Sequence, residues 1–176
     1  MDTTVPFSAE NLDRMIDNAV DKFFDTMLPG SIVSFQEAHT IEPGSSGNEE
    51  DDGLADSVVV SMVGFIGNLN GVLYLYMRDH LARDVTCQFL GLEPDELDEE
   101  PDETVNDALG EMANMIAGTF KNGLCDEGYN CRLTIPSILR GKQFSVETTS
   151  EVMRRIFTFK AMGDTLTCDL LMKPAE

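Results

Sequence analysis

Two stretches of the sequence carry apolar residues at three- and four-residue steps, the spacing that places them on one face of an α-helix. One stripe covers residues 12–27 and the other residues 105–120, and the two superpose at a constant offset. Ser8 is suited to cap the first helix, and a Pro-Gly pair would stop it near Leu28. Each long amphipathic helix needs an apolar surface to pack against, so the fold requires a second layer.

The second layer is predicted to be a β-sheet. The run "DSVVVSMVGFIGNLNGVLYLYM", from residue 56, has two apolar stretches around "GNLNG", which is typical of a hairpin. A short helix is expected in "DHLARDVTCQFLG". The second long helix is expected to run from about Thr104 to Leu124 and to end at the "KNG" of residues 121–123. Further strands are predicted in "SIVSFQEAHTI", "NCRLTIPSIL" and "QFSVETT", and a last hairpin in "RRIFTFKA" and "TLTCDLLMK" around "MGD".

The order of these elements suggests a degenerate internal duplication, in which a long helix leads each half and a hairpin closes it. Two long helices packed on one mainly antiparallel sheet form a two-layer α/β architecture. A chain of 176 residues is long enough for one domain with a substantial core, so we expect a single domain over residues 1–176.

Acidic residues dominate the charge of the chain. The net charge is −20, which disfavours nucleic acids and anionic membranes as partners. Acidic, solvated loops are predicted at about 43–55 and at 92–103, where eight carboxylates lie between Glu93 and Glu103. The last of these would complement the dipole of the second long helix. No membrane span and no export signal is recognised, so we expect a cytoplasmic protein.

The sequence indicates no metal site and no self-contained catalytic centre. Its four cysteines form no CxxC pair, and its two histidines lie far from the closest cysteine pair, so reduced thiols are the simpler interpretation. The phosphate-binding, dinucleotide-binding, serine-hydrolase and zinc-protease motifs are all missing from the sequence. Any chemistry must therefore depend on another kind of constellation.

The face of the second long helix opposite its apolar stripe has an unusual composition. At about 100° per residue, Asp107, Glu111, Asn114 and Gly118 cluster there, and Gly110 borders them. A glycine inside a helix costs about 1 kcal/mol relative to alanine, so two of them suggest that something must come close. The alternative is an ordinary solvated surface.

The first helix provides an internal control for this face. The same offset puts Arg14, Asn18 and Asp21 at the three positions held by the Asp, Glu and Asn of the second helix. If one of the two faces is a functional site, the other is not the same site.

The stretch "DALGEMANMIAGTFKNGL" followed by "TIPSIL" resembles the signature of the CheC/CheX family of chemotaxis phosphatases. That signature is an Asp or Ser, three residues, Glu, two residues, Asn, some 21 or 22 residues, and Pro. Asp107, Glu111, Asn114 and Pro136 fill it, with 21 residues between Asn114 and Pro136. CheC-like members carry the Glu/Asn pair on both long helices and CheX-like members on the second alone, so this chain looks like CheX.

The resemblance implies that the substrate is the phosphoaspartate of a CheY-type response-regulator receiver domain. The receiver would supply the acyl phosphate, a lysine and Mg²⁺, so the chain would need no cofactor of its own. An amide both accepts and donates hydrogen bonds, which suits Asn114 to orient the attacking water. Glu111 would pair with the lysine of the receiver.

The other motif residues are expected to play lesser parts. Asp107, Gly110, Met115, Gly118 and Lys121 would border the contact with the partner, the two glycines by providing clearance. Pro136 would shape the strand or turn beside the helix. Because CheX-like family members are dimers that extend their sheets across subunits, the resemblance also implies a homodimer.

Two alternatives remain open at this stage. The chain could be a module that binds a receiver domain without hydrolysing anything, as the related flagellar switch proteins do; it would need Glu111 but not Asn114. It could instead be an acidic adaptor whose functional surface is the carboxylate-rich segment 92–103.

Overall fold

Four helices and seven strands make up the described parts of the chain. The structure is a computed structural model, and it describes residues 5–42, 57–142, 144–147 and 152–175. In chain order the elements are α1 (Ala9–Met27), β1 (Val33–Ile41), β2 (Val58–Gly67), β3 (Leu69–Arg78), α2 (Asp79–Leu90), α3 (Pro94–Glu99), α4 (Asp102–Asp126), β4 (Cys131–Leu133), β5 (Ser137–Gly141), β6 (Met153–Ala161) and β7 (Asp164–Pro174).

The strands form one antiparallel sheet in the order β1-β6-β7-β3-β2-β4, and β5 also pairs with β2. The order reads the same from either edge of the sheet when each strand is replaced by its counterpart in the other half of the chain. The hairpin β2-β3 takes the place of β6-β7, while β1 takes that of β4 and β5. The predicted two-layer architecture is confirmed, and the symmetric strand order agrees with an internal duplication. Each half lends its outer strand to the hairpin of the other half.

Both long helices bury the predicted apolar stripes in one core with alternate residues of the sheet. Helix α1 begins as predicted, because the Ser8 side chain accepts a hydrogen bond from the backbone N–H of Asn11 at 3.2 Å. An ion pair ties it to the sheet, with Arg155 Nε donating to Asp13 Oδ1 at 2.6 Å. The core therefore holds each helix with one face turned outward.

Helix α4 runs past the predicted stop. The expectation that the "KNG" sequence ends the helix is wrong, because α4 continues to Asp126. Gly123 instead lies against α1, where a Cβ would come within 3.5 Å of the Met15 side chain. Gly123 lies within α4 and does not cap it, and Asp102 and Glu103 occupy the first turn as expected.

The acidic segment 92–103 was predicted as a solvated loop, and this is wrong for its centre. Residues 94–99 form the helix α3, with a capping box between Glu93 and Glu96. Leu97 is only 2% exposed and joins the core, which fixes the turn against the rest of the protein. The other predicted acidic loop, at about 43–55, lies outside the described residues.

The predicted hairpins are both present, but two strand predictions near the end of α4 need correction. The run "NCRLTIPSIL" is two short strands, β4 and β5, rather than one, since Thr134, Ile135 and Pro136 interrupt the ladder. In "QFSVETT", the described residues 144–147 form no strand. Val146 there accepts a hydrogen bond from Arg154 at 2.7 Å.

Candidate functional site

The exposed face of α4 brings three of the predicted residues together. Asp107 and Glu111 are exposed, and Asn114 is half-buried. On its core side the helix buries nine side chains, among them Leu109 and Met112. Residues three or four positions apart lie beside each other on a helix. The structure therefore presents a carboxylate and an amide side by side to solvent.

These polar groups have no partner in the part of the chain that the structure describes. Across the ranges 5–42, 57–142, 144–147 and 152–175, no side-chain hydrogen bond or ion pair involves Asp107, Glu111 or Asn114. A surface carboxylate usually remains solvated or forms a weak ion pair of about 0–1 kcal/mol, so holding these groups unpaired costs the fold little. Their hydrogen-bonding capacity is available to another molecule.

The two glycines that border this face differ. A Cβ at Gly118 would meet nothing within 4 Å, so the surface there is open, in keeping with the predicted clearance. Gly110 is buried, and a Cβ there would lie 3.6 Å from Cγ of Pro136. The expectation that Gly110 leaves space for a partner does not match this geometry, because Pro136 of the same chain occupies that space.

Pro136 thus packs against the motif helix across the 21 intervening residues. It lies in the connection between β4 and β5, which is also tied to the sheet. The backbone N–H of Thr134 donates to Gly64 O at 2.8 Å, and Gly64 N–H donates to Thr134 Oγ1 at 2.9 Å. The predicted role of Pro136 in shaping the segment beside the helix fits this placement.

Arg140 is a positioning residue that the sequence analysis did not single out. Its Nη2 donates to Asn106 Oδ1 at 2.9 Å, and its Nη1 donates to Asp79 Oδ1 at 2.9 Å. It therefore links β5 to the N-terminal turns of α4 and to the start of α2. Asn106 precedes the motif Asp107, but nothing in the sequence pairs it with an arginine 34 residues away.

Met115 and Lys121, the remaining predicted contact residues, are both half-buried. The Met115 side chain packs partly against the core, so only part of it is available to a partner. Lys121 lies two turns beyond Asn114, and its charge acts on Cys131 at the start of β4. Burial raises the pKa of the Cys131 thiol, the nearby Cys125 adds to that rise, and Lys121 opposes it.

The matching face of α1 is charged in a different way. Arg14, Asn18 and Asp21 are all exposed, at the positions that correspond to the motif Asp, Glu and Asn. The pKa of Asp21 is raised, first by partial burial and then by the charges of Asp17 and Asp25. No Glu/Asn pair is present on this helix, so the two faces are chemically distinct.

Within the described ranges, no group of three or more His, Cys, Asp or Glu residues could hold a metal ion. None of the described helices is long and apolar enough to span a bilayer.

The fold and the helix-borne polar pair define a class of protein, the CheC-like and CheX chemotaxis proteins. The family model for the chemotaxis phosphatase CheX matches residues 59–160, more than half of the 176 residues and all of α4. The chain belongs to the CheX family. Among curated proteins, no sequence matches it significantly.

Solved structures share the fold over nearly the whole chain. CheX from Desulfovibrio desulfuricans is 21% identical, with a TM-score of 0.68, over 92% of this chain and 96% of that one. CheX from Vibrio vulnificus is 19% identical, with a TM-score of 0.69, over 92% and 98%. CheX in a CheX-CheY-BeF3-Mg²⁺ complex from Borrelia burgdorferi is 20% identical, with a TM-score of 0.62, over 93% and 96%. At these identities the likeness establishes the fold alone.

Proposed function

We propose that this protein is a phosphatase that removes the phosphoryl group from the phosphoaspartate of a CheY-type receiver domain in chemotaxis signalling. The observation that carries the proposal is the pair Glu111 and Asn114, of which Glu111 is exposed and Asn114 is half-buried. Neither side chain has a partner among the described residues, and open space at Gly118 borders the helix face that carries them. Membership of the CheX family and the CheX-CheY complex of a structural relative support the choice of substrate.

The reaction is hydrolysis of an acyl phosphate. A water oxygen attacks phosphorus, the bond from phosphorus to the aspartate carboxylate oxygen breaks, and the proton of the water is lost to solvent or to the phosphate formed. The carbonyl oxygen of Asn114 would accept a hydrogen bond from the water, while its NH₂ group donates to a phosphoryl oxygen. Such positioning lowers the barrier because it removes the orientational freedom of the nucleophile.

Glu111 would dock the helix. One turn from Asn114, its carboxylate can pair with the lysine of the receiver, and this contact aligns α4 over the phosphoryl group. The Mg²⁺ ion that neutralises the phosphoryl oxygens belongs to the receiver and arrives with the substrate. We place the reaction in the cytoplasm and expect the protein to act as a homodimer.

The proposal is tested by the loss of radiolabel from a phosphorylated receiver domain in the presence of Mg²⁺. The wild type should accelerate the loss. Asn114→Ala should bind the receiver yet leave its decay unchanged, whereas Glu111→Ala should weaken binding. Asp21→Ala, at the matching position of α1, is the control and should behave as the wild type.

The same experiment separates the alternatives. If the wild type binds the receiver without accelerating its decay, α4 is a recognition surface and the assignment as an enzyme is wrong. If removing the charges of the segment 92–103 abolishes binding while changes at Glu111 have no effect, the protein is an acidic adaptor.

A further inference from the structure

Ile135 is the most exposed large apolar side chain among those described. It is 88% exposed, compared with 78% for Ile32 and less than half for Ile66, Leu90 and Leu139. Single exposed apolar residues are common on protein surfaces, so exposure alone has no functional meaning. The way in which the backbone holds Ile135 gives the exposure its significance.

Both neighbours of Ile135 are fixed. Thr134 makes two hydrogen bonds to Gly64 of β2, at 2.8 and 2.9 Å. Pro136 packs over Gly110 of α4, with its Cγ 3.6 Å from where a Cβ would be. The isoleucine therefore projects from a short rigid bridge between the sheet and the motif helix.

This bridge lies beside the proposed catalytic pair. Gly110, which Pro136 covers, precedes Glu111 directly and lies one helical turn before Asn114. A turn of helix rises about 5.4 Å, so a domain that receives this face of α4 also reaches the connection between β4 and β5. Arg140, in the strand that follows the connection, also links β5 to α4 through its hydrogen bond to Asn106.

An isoleucine held in this way can contribute strongly to binding. Because its side chain is β-branched and its backbone is fixed, it loses little conformational freedom when a partner covers it. Interfaces commonly combine a buried apolar anchor with polar groups that fix the orientation. Here the polar groups are Glu111 and Asn114, and the apolar member of the set is Ile135.

We propose that Ile135 is an apolar anchor for the receiver domain, seated against an apolar surface next to the phosphorylation site of that domain. This inference rests on the proposed function and adds a determinant of partner affinity to the same site. Ile135 takes no part in the chemistry, so it acts on the encounter between the proteins rather than on the hydrolytic step.

The test compares Ile135→Ser and Ile135→Val with a matched control, Ile32→Ser. Ile32 is also strongly exposed, and its carbonyl accepts a hydrogen bond from Met162 N–H at 2.9 Å, but it precedes β1 at the opposite edge of the sheet. Binding of the receiver loaded with Mg²⁺ and beryllofluoride gives Kd, and hydrolysis of the phosphorylated receiver gives KM and kcat. Sedimentation velocity reports the oligomeric state.

Ile135→Ser should raise Kd and KM about tenfold and leave kcat within twofold of the wild-type value. Ile135→Val should have Kd and KM near the wild-type values. Ile32→Ser should change neither Kd nor KM. If Ile135→Ser hydrolyses and binds like the wild type, the anchor is wrong and the phosphatase proposal stands. If Ile135→Ser loses the dimer but keeps its affinity for the receiver, the anchor proposal is also overturned, because Ile135 then contacts a second copy of the chain. If the anchor effect on Kd is present without hydrolysis, the phosphatase proposal fails and the anchor stands.

Discussion

Helices α1 and α4 occupy matching positions in the two halves of the fold, and their outward faces differ along one ridge. On α4 this ridge consists of Gly110, which is buried against Pro136, and of the half-buried Asn114 and Gly118. The same offset that superposes the apolar stripes puts an aspartate at each of these positions on α1. The three residues of this α1 ridge are Asp17, Asp21 and Asp25.

The difference shows how a duplicated fold can separate packing from function. Both helices keep the apolar side that the sheet requires, so the core does not distinguish them. On α4 the ridge carries an amide with open space on its Gly118 side, whereas on α1 it carries three carboxylates, of which the central one is repelled by the other two. A phosphoryl group could approach the first surface, and the second would repel it.

The largest expected effect comes from giving α4 the central residue of the α1 ridge. Asn114→Asp keeps the size of the side chain but removes the N–H donor and adds a negative charge facing the phosphoryl oxygens. We expect the acceleration of receiver dephosphorylation to fall at least about a hundredfold, since misplacing the nucleophile alone can cost that much. Radiolabel loss measures the rate, and circular dichroism checks the helix.

The reciprocal change on α1 is the control for this variant. Asp21→Asn places an amide at the matching position, but the residue three positions before it is Asn18 rather than a glutamate, so hydrolysis should stay at the wild-type rate. An Asn114→Asp protein that retained most of its activity would show that the amide does not orient the water.

A smaller effect is expected from filling the open space at Gly118. Because a Cβ there meets nothing within 4 Å, Gly118→Ala should add about 1 kcal/mol to the free energy of unfolding through helix propensity. In the proposed complex the same methyl group would face the receiver, so KM should rise a few-fold while the protein becomes more stable. Denaturant unfolding and hydrolysis kinetics measure the two changes.

Asp25→Ala makes the corresponding change on α1, where no partner is expected. It should leave KM unaltered, since the α1 ridge takes no part in docking. Equal shifts of KM in the two variants would mean that the contrast between the ridges has no bearing on binding.

The smallest effect concerns the charges of α1. Partial burial, Asp17 and Asp25 all raise the pKa of Asp21 above its ordinary value of 3.8. A carboxyl whose folded pKa is raised binds its proton more tightly in the folded state, so its contribution to stability falls as pH rises through that pKa. Asp21→Asn should therefore increase the free energy of unfolding at pH 7 by about 0.2–0.5 kcal/mol.

This gain should vanish when the pH falls below 3.8, where the carboxyl is protonated in both states. It should also shrink in high salt, which screens charges at the surface. Unfolding curves of the two proteins between pH 3 and 7 test this, and a gain that grew on acidification would contradict it.

Local patterns were enough to predict most of the fold. The two apolar stripes and the two hairpins are periodic over many residues, and the structure contains them all. The prediction failed for α3, because eight carboxylates between Glu93 and Glu103 concealed a capping box and the buried Leu97. It failed at Gly123 because the helix continues through this glycine to Asp126, where the local pattern had indicated a cap.

The site was predictable where it follows helical spacing and hidden where it depends on tertiary contacts. Glu111 and Asn114 share a face by their positions alone, and the structure places them there. The seating of Pro136 on Gly110 and the links made by Arg140 join residues far apart in sequence. Ile135 carries no sequence signal of its own, since its exposure follows from those contacts.

The exchange of outer strands between the halves has a consequence for assembly. Strand β1 pairs with β6, from Val33 opposite Ala161 to Ile41 opposite Arg154, and β5 pairs with β2. A fragment that ended after α2 would contain β1 without β6, the strand with which β1 pairs. The complementary fragment would contain β4 and β5 without β2, the strand with which both pair. The two fragments should therefore recover a native sheet only when they are mixed, so the protein is suited to a split reporter whose signal depends on reunion of the halves.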